Sequence, residues 1–216
     1  MGHWKIWDFD SWAERYDEAV ARGSQVHARY GEVLERVVEV ARVGPGKWVL
    51  DIGTGTGNLA ALCLARDARV VGLDPSARML AAARREFGPD PRVELRRVDD
   101  PFLNIPYPEG RFDAVVSTYA FHHVPPPLKP RGVREMVRVL KPGGVWALGD
   151  LSFWDEEAER EALRTYAWLE EEYFARIVEL QPTFAELGME LEAEQLTPVT
   201  WVLWAVKPPK RQRGPL

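Results

Sequence analysis

Short apolar runs alternate with stretches of helical periodicity through the middle of the chain. The runs are Trp48–Ile52, Val70–Leu73, Val93–Val98, Ala114–Ser117 and Val145–Asp150. Between them, apolar residues recur at helical spacing over Leu59–Arg66, Ala77–Phe87 and Val133–Leu140. Runs short enough for strands, separated by helices, predict a parallel sheet with helices on both faces and right-handed crossovers. Turn residues punctuate the pattern at 43–47, 89–91 and 141–144. Two helices are predicted ahead of the first strand. One lies at Asp10–Val20; the other, at His27–Val43, repeats Leu34, Val37, Val38 and Ala41. After the fifth strand, Ala162, Leu163, Tyr166, Leu169, Tyr173, Ile177 and Val178 predict one long helix over about Glu156–Glu179. Two further strands, Met189–Glu194 and the aromatic-rich Thr200–Val206, close the fold.

Composition narrows the picture. A chain of 216 residues, 46% hydrophobic, suffices for one domain with a sizeable core. It reads as a single domain over 1–216, with a lid helix in 1–25, a helical insert over 153–181 and a flexible tail at 208–216. The net charge of −5 argues against a general nucleic-acid binder. The single cysteine, Cys63, excludes an intrachain disulfide and falls among apolar residues of the first inter-strand helix, as a core residue should. No window offers the roughly 20 apolar residues of a membrane span, and the first residues show no cleavable leader. The expectation is a cytoplasmic protein.

The chemistry begins where the first strand ends. Residues 49–60 read Val-Leu-Asp-Ile-Gly-Thr-Gly-Thr-Gly-Asn-Leu-Ala. A strand closes on Asp51, and Gly53, Gly55 and Gly57 let a ligand lie on bare backbone before a helix N-terminus. Asp74 ends the next strand, where a carboxylate can accept both hydroxyls of a ribose. In an open parallel sheet, ligands sit beyond the carboxyl ends of the strands, and Asp51, Asp74, Asp99, Asp100 and Ser117 all fall there. A dinucleotide fingerprint requires Gly-x-Gly-x-x-Gly, and its third glycine position is here Asn58. A carboxylate at Asp51 would oppose a pyrophosphate but suit an ammonium. S-adenosylmethionine has an ammonium and a ribose and carries no phosphate.

On these motifs the chain resembles the class I S-adenosylmethionine-dependent methyltransferases, in the small-molecule branch related to ubiquinone and menaquinone biosynthesis. The resemblance covers roughly 9–152, with Pro-Thr-Phe-Ala-Glu-Leu-Gly-Met at 182–189 also in keeping. It implies a Rossmann-like, doubly wound, mostly parallel seven-stranded sheet with an antiparallel last strand. It assigns Asp51, Gly53, Gly55 and Gly57 to the methionine moiety; Asp74, Ser76 and Met79 match a second motif in which Asp74 holds the ribose hydroxyls and Met79 packs on adenine, and Thr54 and Pro75 join the cofactor-binding set. Ser117 lies beside the cofactor. One landmark departs: counting back from Ile105-Pro-Tyr-Pro108 and Phe112-Asp113 lands on Pro101, which cannot bind the adenine amine. Asp99 or Asp100 then takes that role, Asp100 being favoured, with the Phe102 amide near the ring.

Residues 112–124, ending Thr-Tyr-Ala-Phe-His-His-Val, lead to the acceptor side. His122 is the candidate general base, because an imidazole titrates near pH 6.5; equally it can form a wall of the cofactor or acceptor pocket. The segment 9–17 resembles a mobile lid whose Tyr16 and Trp12 close over the methionine end or the acceptor; aromatic faces also suit a sulfonium, a contact worth about 0.5–2 kcal/mol. Trp12, His122 and Trp154 are the expected acceptor pocket. The acidic runs 155–159 and 170–172 read as solvated or helix-start charges. The four histidines show no metal-ligand spacing, and no metal is expected. The reading is methyl transfer to a small molecule by direct displacement. Alternatives are an RNA-modifying methyltransferase, a non-catalytic S-adenosylmethionine-binding module and a dehydrogenase. Acceptor atom and oligomeric state stay open.

Overall fold

The computed structural model describes residues 10, 16–21, 27–169 and 172–209. Predicted features at Trp12, in most of the lid and in the tail beyond 209 lie outside them. The strands, in chain order, are β1 (Trp48–Ile52), β2 (Arg69–Asp74), β3 (Val93–Arg97), β4 (Phe112–Thr118), β5 (Leu140–Phe153), β6 (Ala175–Arg176), β7 (Glu192–Gln195) and β8 (Thr200–Val206). The helices are α1 (Tyr16–Ala21), α2 (Tyr30–Val40), α3 (Asn58–Ala65), α4 (Ala77–Phe87), α5 (Lys129–Val139), α6 (Glu156–Thr165) and α7 (Ile177–Glu186).

The sheet runs β3-β2-β1-β4-β5-β8-β7, with the two-residue β6 beside the end of β5. Strands β1 to β5 are parallel, and β8 runs antiparallel to both β5 and β7. Order reverses between β1 and β4, the place where such sheets open a crevice.

Alternation along the strands supplies two cores. Leu50, Leu73, Val115 and Leu148 pack with Met136, Val137 and Phe184, from α5 and α7. Val49, Val70, Ala114 and Ala147 pack with Val33, Leu34, Val37 and Val38 of α2, and with Cys63 of α3. Both faces of the sheet are therefore covered, as the near-continuous apolar runs require. The α2 stripe is legible residue by residue: Leu34, Val37, Val38 and Ala41 are all buried. Cys63 is fully buried, and burial pushes its thiol pKa up, consistent with an inert core residue.

Three expectations are corrected. The long helix at Glu156–Glu179 is two helices with an irregular stretch and β6 between them. The aromatic run Tyr166 to Phe174 favours helix poorly and buries Leu169 and Phe174 instead of continuing a stripe. The strand expected at Met189 starts at Glu192, because α7 ends in a Schellman turn. Gly188 has φ +70°, its N–H donates to the Ala185 carbonyl (2.9 Å), and that of Met189 donates to the Phe184 carbonyl (2.8 Å). Finally, Lys-Pro-Gly-Gly at 141–144 does not precede β5 but bulges out of it. Pairing with β4 passes from Phe112–Leu140 to Ala114–Val145.

Candidate functional site

The crevice beyond β1 and β2 is built on glycines. Gly53, at φ +72°, brings its Cα so close to the β4–α5 connection that an added Cβ would stand 2.4 Å from the Ala120 Cβ. At Gly57, φ +99°, an added Cβ would stand 2.5 Å from the Phe87 ring. By contrast, nothing lies within 4 Å of a Cβ built on Gly55. The turn is thus pinned at both ends and open in the middle, where a ligand can lie on bare backbone.

Two carboxylates flank this opening, both buried. Asp51 accepts a hydrogen bond from the Thr54 hydroxyl at 2.7 Å. Asp74 accepts one from the Gly55 amide (2.9 Å) and one from the Ser76 amide (2.8 Å), which fix its plane. Burial pushes the Asp51 carboxyl up to about 7 against the pull of Thr54, with the Asp74 charge adding to the rise. Burial likewise raises Asp74 to about 6. Both acids are under-compensated, so a cation and a pair of hydroxyls are the partners this geometry favours. Ser76 caps α4, accepting from the Met79 amide (3.1 Å), and its own hydroxyl donates to Asp10 (2.5 Å). Asp10 ties the N-terminal segment to the Asp74 end of the crevice through Ser76 and the Arg78 amide.

The remaining predicted cofactor residues ring the same edge. Ser117 is buried and donates to the Ile52 carbonyl at 2.6 Å, a structural bond across β1 and β4. Met79 and Phe102 are buried, and Phe102 packs edge-on against Phe121. Asp99 and Asp100 are exposed in the turn after β3; Asp99 sits 3.6 Å from Arg97. Tyr16 stands edge-on to His27 (5.6 Å), which meets Tyr30 and Tyr119 at 5.4 and 5.5 Å. Tyr119 has φ +50°, and this left-handed turn stacks its ring on Tyr30 at 5.2 Å.

His122 is buried and tightly held. Its Nδ1 faces Asp150 Oδ1 at 2.5 Å, and its amide donates to Asp150 Oδ2 at 3.1 Å. Burial alone would lower its pKa, but the Asp150 and Glu172 carboxylates outweigh that and raise it. His123 is pushed down to about 4 by burial and by the His122 charge, which outweigh the pull of the Glu172 and Asp150 carboxylates. Lys129 is buried as well, donates to the Phe121 carbonyl at 2.8 Å, and is pushed down to about 7 by burial. Glu172 is 3.8 Å from His122 Nε2 and 3.4 Å from His123 Nδ1. It is not the solvated charge expected of the 170–172 run.

Asp150, Lys129 and Glu172 were missed by sequence reasoning. Asp150 carried a signal, as a carboxylate at the end of a strand. Glu172 carried none, because the break after α6 brings it across; the Tyr173 amide donates to the His122 carbonyl at 3.0 Å. Trp154 is not brought to His122. It is 44% exposed and lies 6.2 Å from Trp201, in a separate groove of about 310 Å³ with Phe153, Tyr166 and Pro198.

A sheet of this order, with a glycine turn and acidic strand ends at its switch point, defines the Rossmann-like methyltransferase fold. The methyltransferase-domain family matches residues 49–144. An uncharacterized methyltransferase of Geobacillus thermodenitrificans is 34% identical over 212 residues, covering 92% of this chain and 95% of its own. One from Oceanobacillus iheyensis is 30% identical, covering 96% and 99%. Among solved structures, a chain of the complex between the Haloferax volcanii Trm112 methyltransferase activator and a methyltransferase superposes with TM-score 0.72. It is 22% identical, covering 93% of this chain and 98% of that one. DhpI with S-adenosylhomocysteine gives TM-score 0.69 at 26% identity, covering 94% of each chain. The chain belongs to the class I S-adenosylmethionine-dependent methyltransferases, and S-adenosylmethionine is its methyl donor. No helix among the described residues is long and apolar enough to cross a membrane.

Proposed function

We propose that this methyltransferase acts on a small-molecule acceptor seated beyond β4 and β5, against His122 and the N-terminal segment. The observation that carries the reading is the enclosure of the acceptor side. His122 and Asp150 are buried, with Glu172 across from them, a space that suits a small molecule better than a polynucleotide. The chain's net charge of −5 points the same way. The resemblance to the ubiquinone and menaquinone branch supports a small acceptor without naming it.

Bound S-adenosylmethionine supplies an electrophilic methyl group on a sulfonium. The chain does the rest. Asp51 meets the ammonium, and the amides of Gly53, Thr54, Gly55 and Gly57 leave room for the methionine end. Asp74 and Pro75 hold the ribose; Met79, Phe102 and Asp100 surround the adenine. Ser117 supports the floor, and Tyr16 closes the aromatic side with His27. Alignment of nucleophile and methyl can contribute about 7–11 kcal/mol of barrier reduction, the dominant share for a direct displacement. His122, oriented by Asp150, is the catalytic candidate at the acceptor.

The test is transfer of tritiated methyl to the small-molecule fraction of a cell extract, beside transfer to total RNA. Label in the small-molecule fraction alone is expected. Label confined to RNA would overturn the acceptor reading, and label nowhere would favour a binding module.

A further inference from the structure

We infer that His122, His123 and Glu172 form a binding site for one divalent transition-metal ion of the zinc or ferrous class. One ligand atom from each of the three lies within 4.8 Å of the others. Glu172 Oε2 stands 3.4 Å from His123 Nδ1 and 3.8 Å from His122 Nε2. Three ligands bonded at about 2.1 Å to a tetrahedral ion stand roughly 3.4 Å apart. The side chains therefore need to move by only a fraction of an ångström to a little over one to close on an ion.

The surroundings suit this use. A metal-bound histidine commonly gives its other ring nitrogen to a carboxylate, which fixes the tautomer. Asp150 stands in that position, 2.5 Å from His122 Nδ1, so Nε2 is the nitrogen turned toward Glu172. The backbone bond from Tyr173 to the His122 carbonyl (3.0 Å) holds the neighbour of Glu172 against the histidine turn. The site therefore stands assembled from residues 50 positions apart in the chain. Two imidazoles with one carboxylate favour zinc, ferrous iron or cobalt over magnesium or calcium, which take oxygen ligands.

Three protein ligands leave a coordination position open. A thiol or hydroxyl acceptor entering it would form a metal–sulfur or metal–oxygen bond and lose its proton to water, becoming the nucleophile. This last step rests on the methyl-transfer reading above; ion binding itself does not.

The experiment uses the full chain stripped with a chelator and titrated with Zn²⁺ by calorimetry, and with Co²⁺ by visible absorption. Binding of one ion per chain is expected, with the visible bands of a low-coordinate Co²⁺ site. Glu172→Gln and His123→Ala should each weaken binding by at least about 100-fold, and Asp150→Asn by roughly 10–100-fold. S-adenosylhomocysteine binding should be unchanged in Glu172→Gln and His123→Ala, which also shows that the variants fold. Absence of ion binding by the unsubstituted chain would overturn the inference, as would undiminished binding by both ligand variants. Loss of S-adenosylhomocysteine binding by the unsubstituted chain would count against the methyltransferase reading and leave the ion site standing.

Discussion

Acidifying the solution should weaken cofactor binding through Asp51, by an amount the structure sets. Burial holds this carboxyl at about 7 in the free protein. Contact with an ammonium favours the charged form, so binding drives the proton off. The sign follows: affinity is full above the free-protein value and falls as pH drops through it. From about pH 7.5 to pH 6 the ionised fraction of a group titrating at 7 falls roughly eightfold, equivalent to ~1.3 kcal/mol. Asp74, raised to about 6, should add roughly a further factor of two over the same interval. The ligand's own α-amino group, titrating near 7.7–8.0, goes from about 60–75% charged at pH 7.5 to nearly full charge at pH 6, an opposing change of less than about twofold. Calorimetry with S-adenosylhomocysteine, in buffers of different ionisation enthalpy, reads both quantities. Near pH 7 it should register release of about half a proton per molecule bound. Asp51→Asn should abolish most of the pH dependence and leave only the smaller Asp74 contribution. A dissociation constant unchanged between pH 6 and 7.5, with no proton released, would refute the assignment of Asp51 to the ammonium.

The same burial makes Asp51 costly to the free fold. Moving its pKa from 3.8 to about 7 corresponds to at most ~4 kcal/mol at alkaline pH; Asp51→Asn should therefore raise the melting temperature at pH 8 while weakening cofactor binding, and a lowered melting temperature would contradict this. Asp74→Ala removes the acceptor of the Gly55 and Ser76 amides as well as that of the ribose. Charged hydrogen bonds of about 1.5–3 kcal/mol predict a 10- to 150-fold loss of S-adenosylhomocysteine affinity by calorimetry. Gly53→Ala places a Cβ 2.4 Å from that of Ala120 at φ +72°, and thermal denaturation should show a loss of about 2–4 kcal/mol. Adding Ala120→Gly should recover the steric part and leave the backbone part, so a double variant no better than the single one would deny the contact its role.

What the sequence disclosed, and what it hid, follows the range of the interactions involved. Asp51, Gly53, Gly55, Gly57, Asp74, Ser76 and Met79 lie on two adjacent strand–turn–helix units. Each turn also holds itself by bonds two or three positions long, Thr54 to Asp51, the Ser76 amide to Asp74 and the Met79 amide to Ser76, so a local pattern reports it. The α2 stripe of Leu34, Val37 and Val38 was legible because burial on one face leaves a period of 3.6. The stretch after Thr165 was misread because Leu163, Tyr166, Leu169 and Tyr173 mimic that period while aromatic packing ends the helix. Register also failed where a turn carried hidden hydrogen bonds, at Gly188 and at the bulge of 141–144. The acceptor side was the least legible part, since Asp150 meets His122 across 28 positions and Glu172 arrives across 50.

This contrast has a physical consequence for how the site operates. The cofactor half is strained in its electrostatics: two carboxylates are buried within one crevice, each raised toward neutrality. An incoming ammonium and ribose relieve that strain, so part of the binding energy is stored in the free protein. The acceptor half is compensated already. His122 is held between Asp150 and Glu172, and both of those carboxyls lie below their ordinary values; burial alone would raise each, but the nearby histidines outweigh it. A site of the first kind responds to its ligand by changing protonation. One of the second kind resists change and holds its geometry. The free protein thus has a cofactor half that waits for a cation and an acceptor half that is preorganised. On electrostatic grounds alone, the cofactor half should show the larger dependence of binding on pH. The acceptor half should show the larger dependence of turnover on side-chain position.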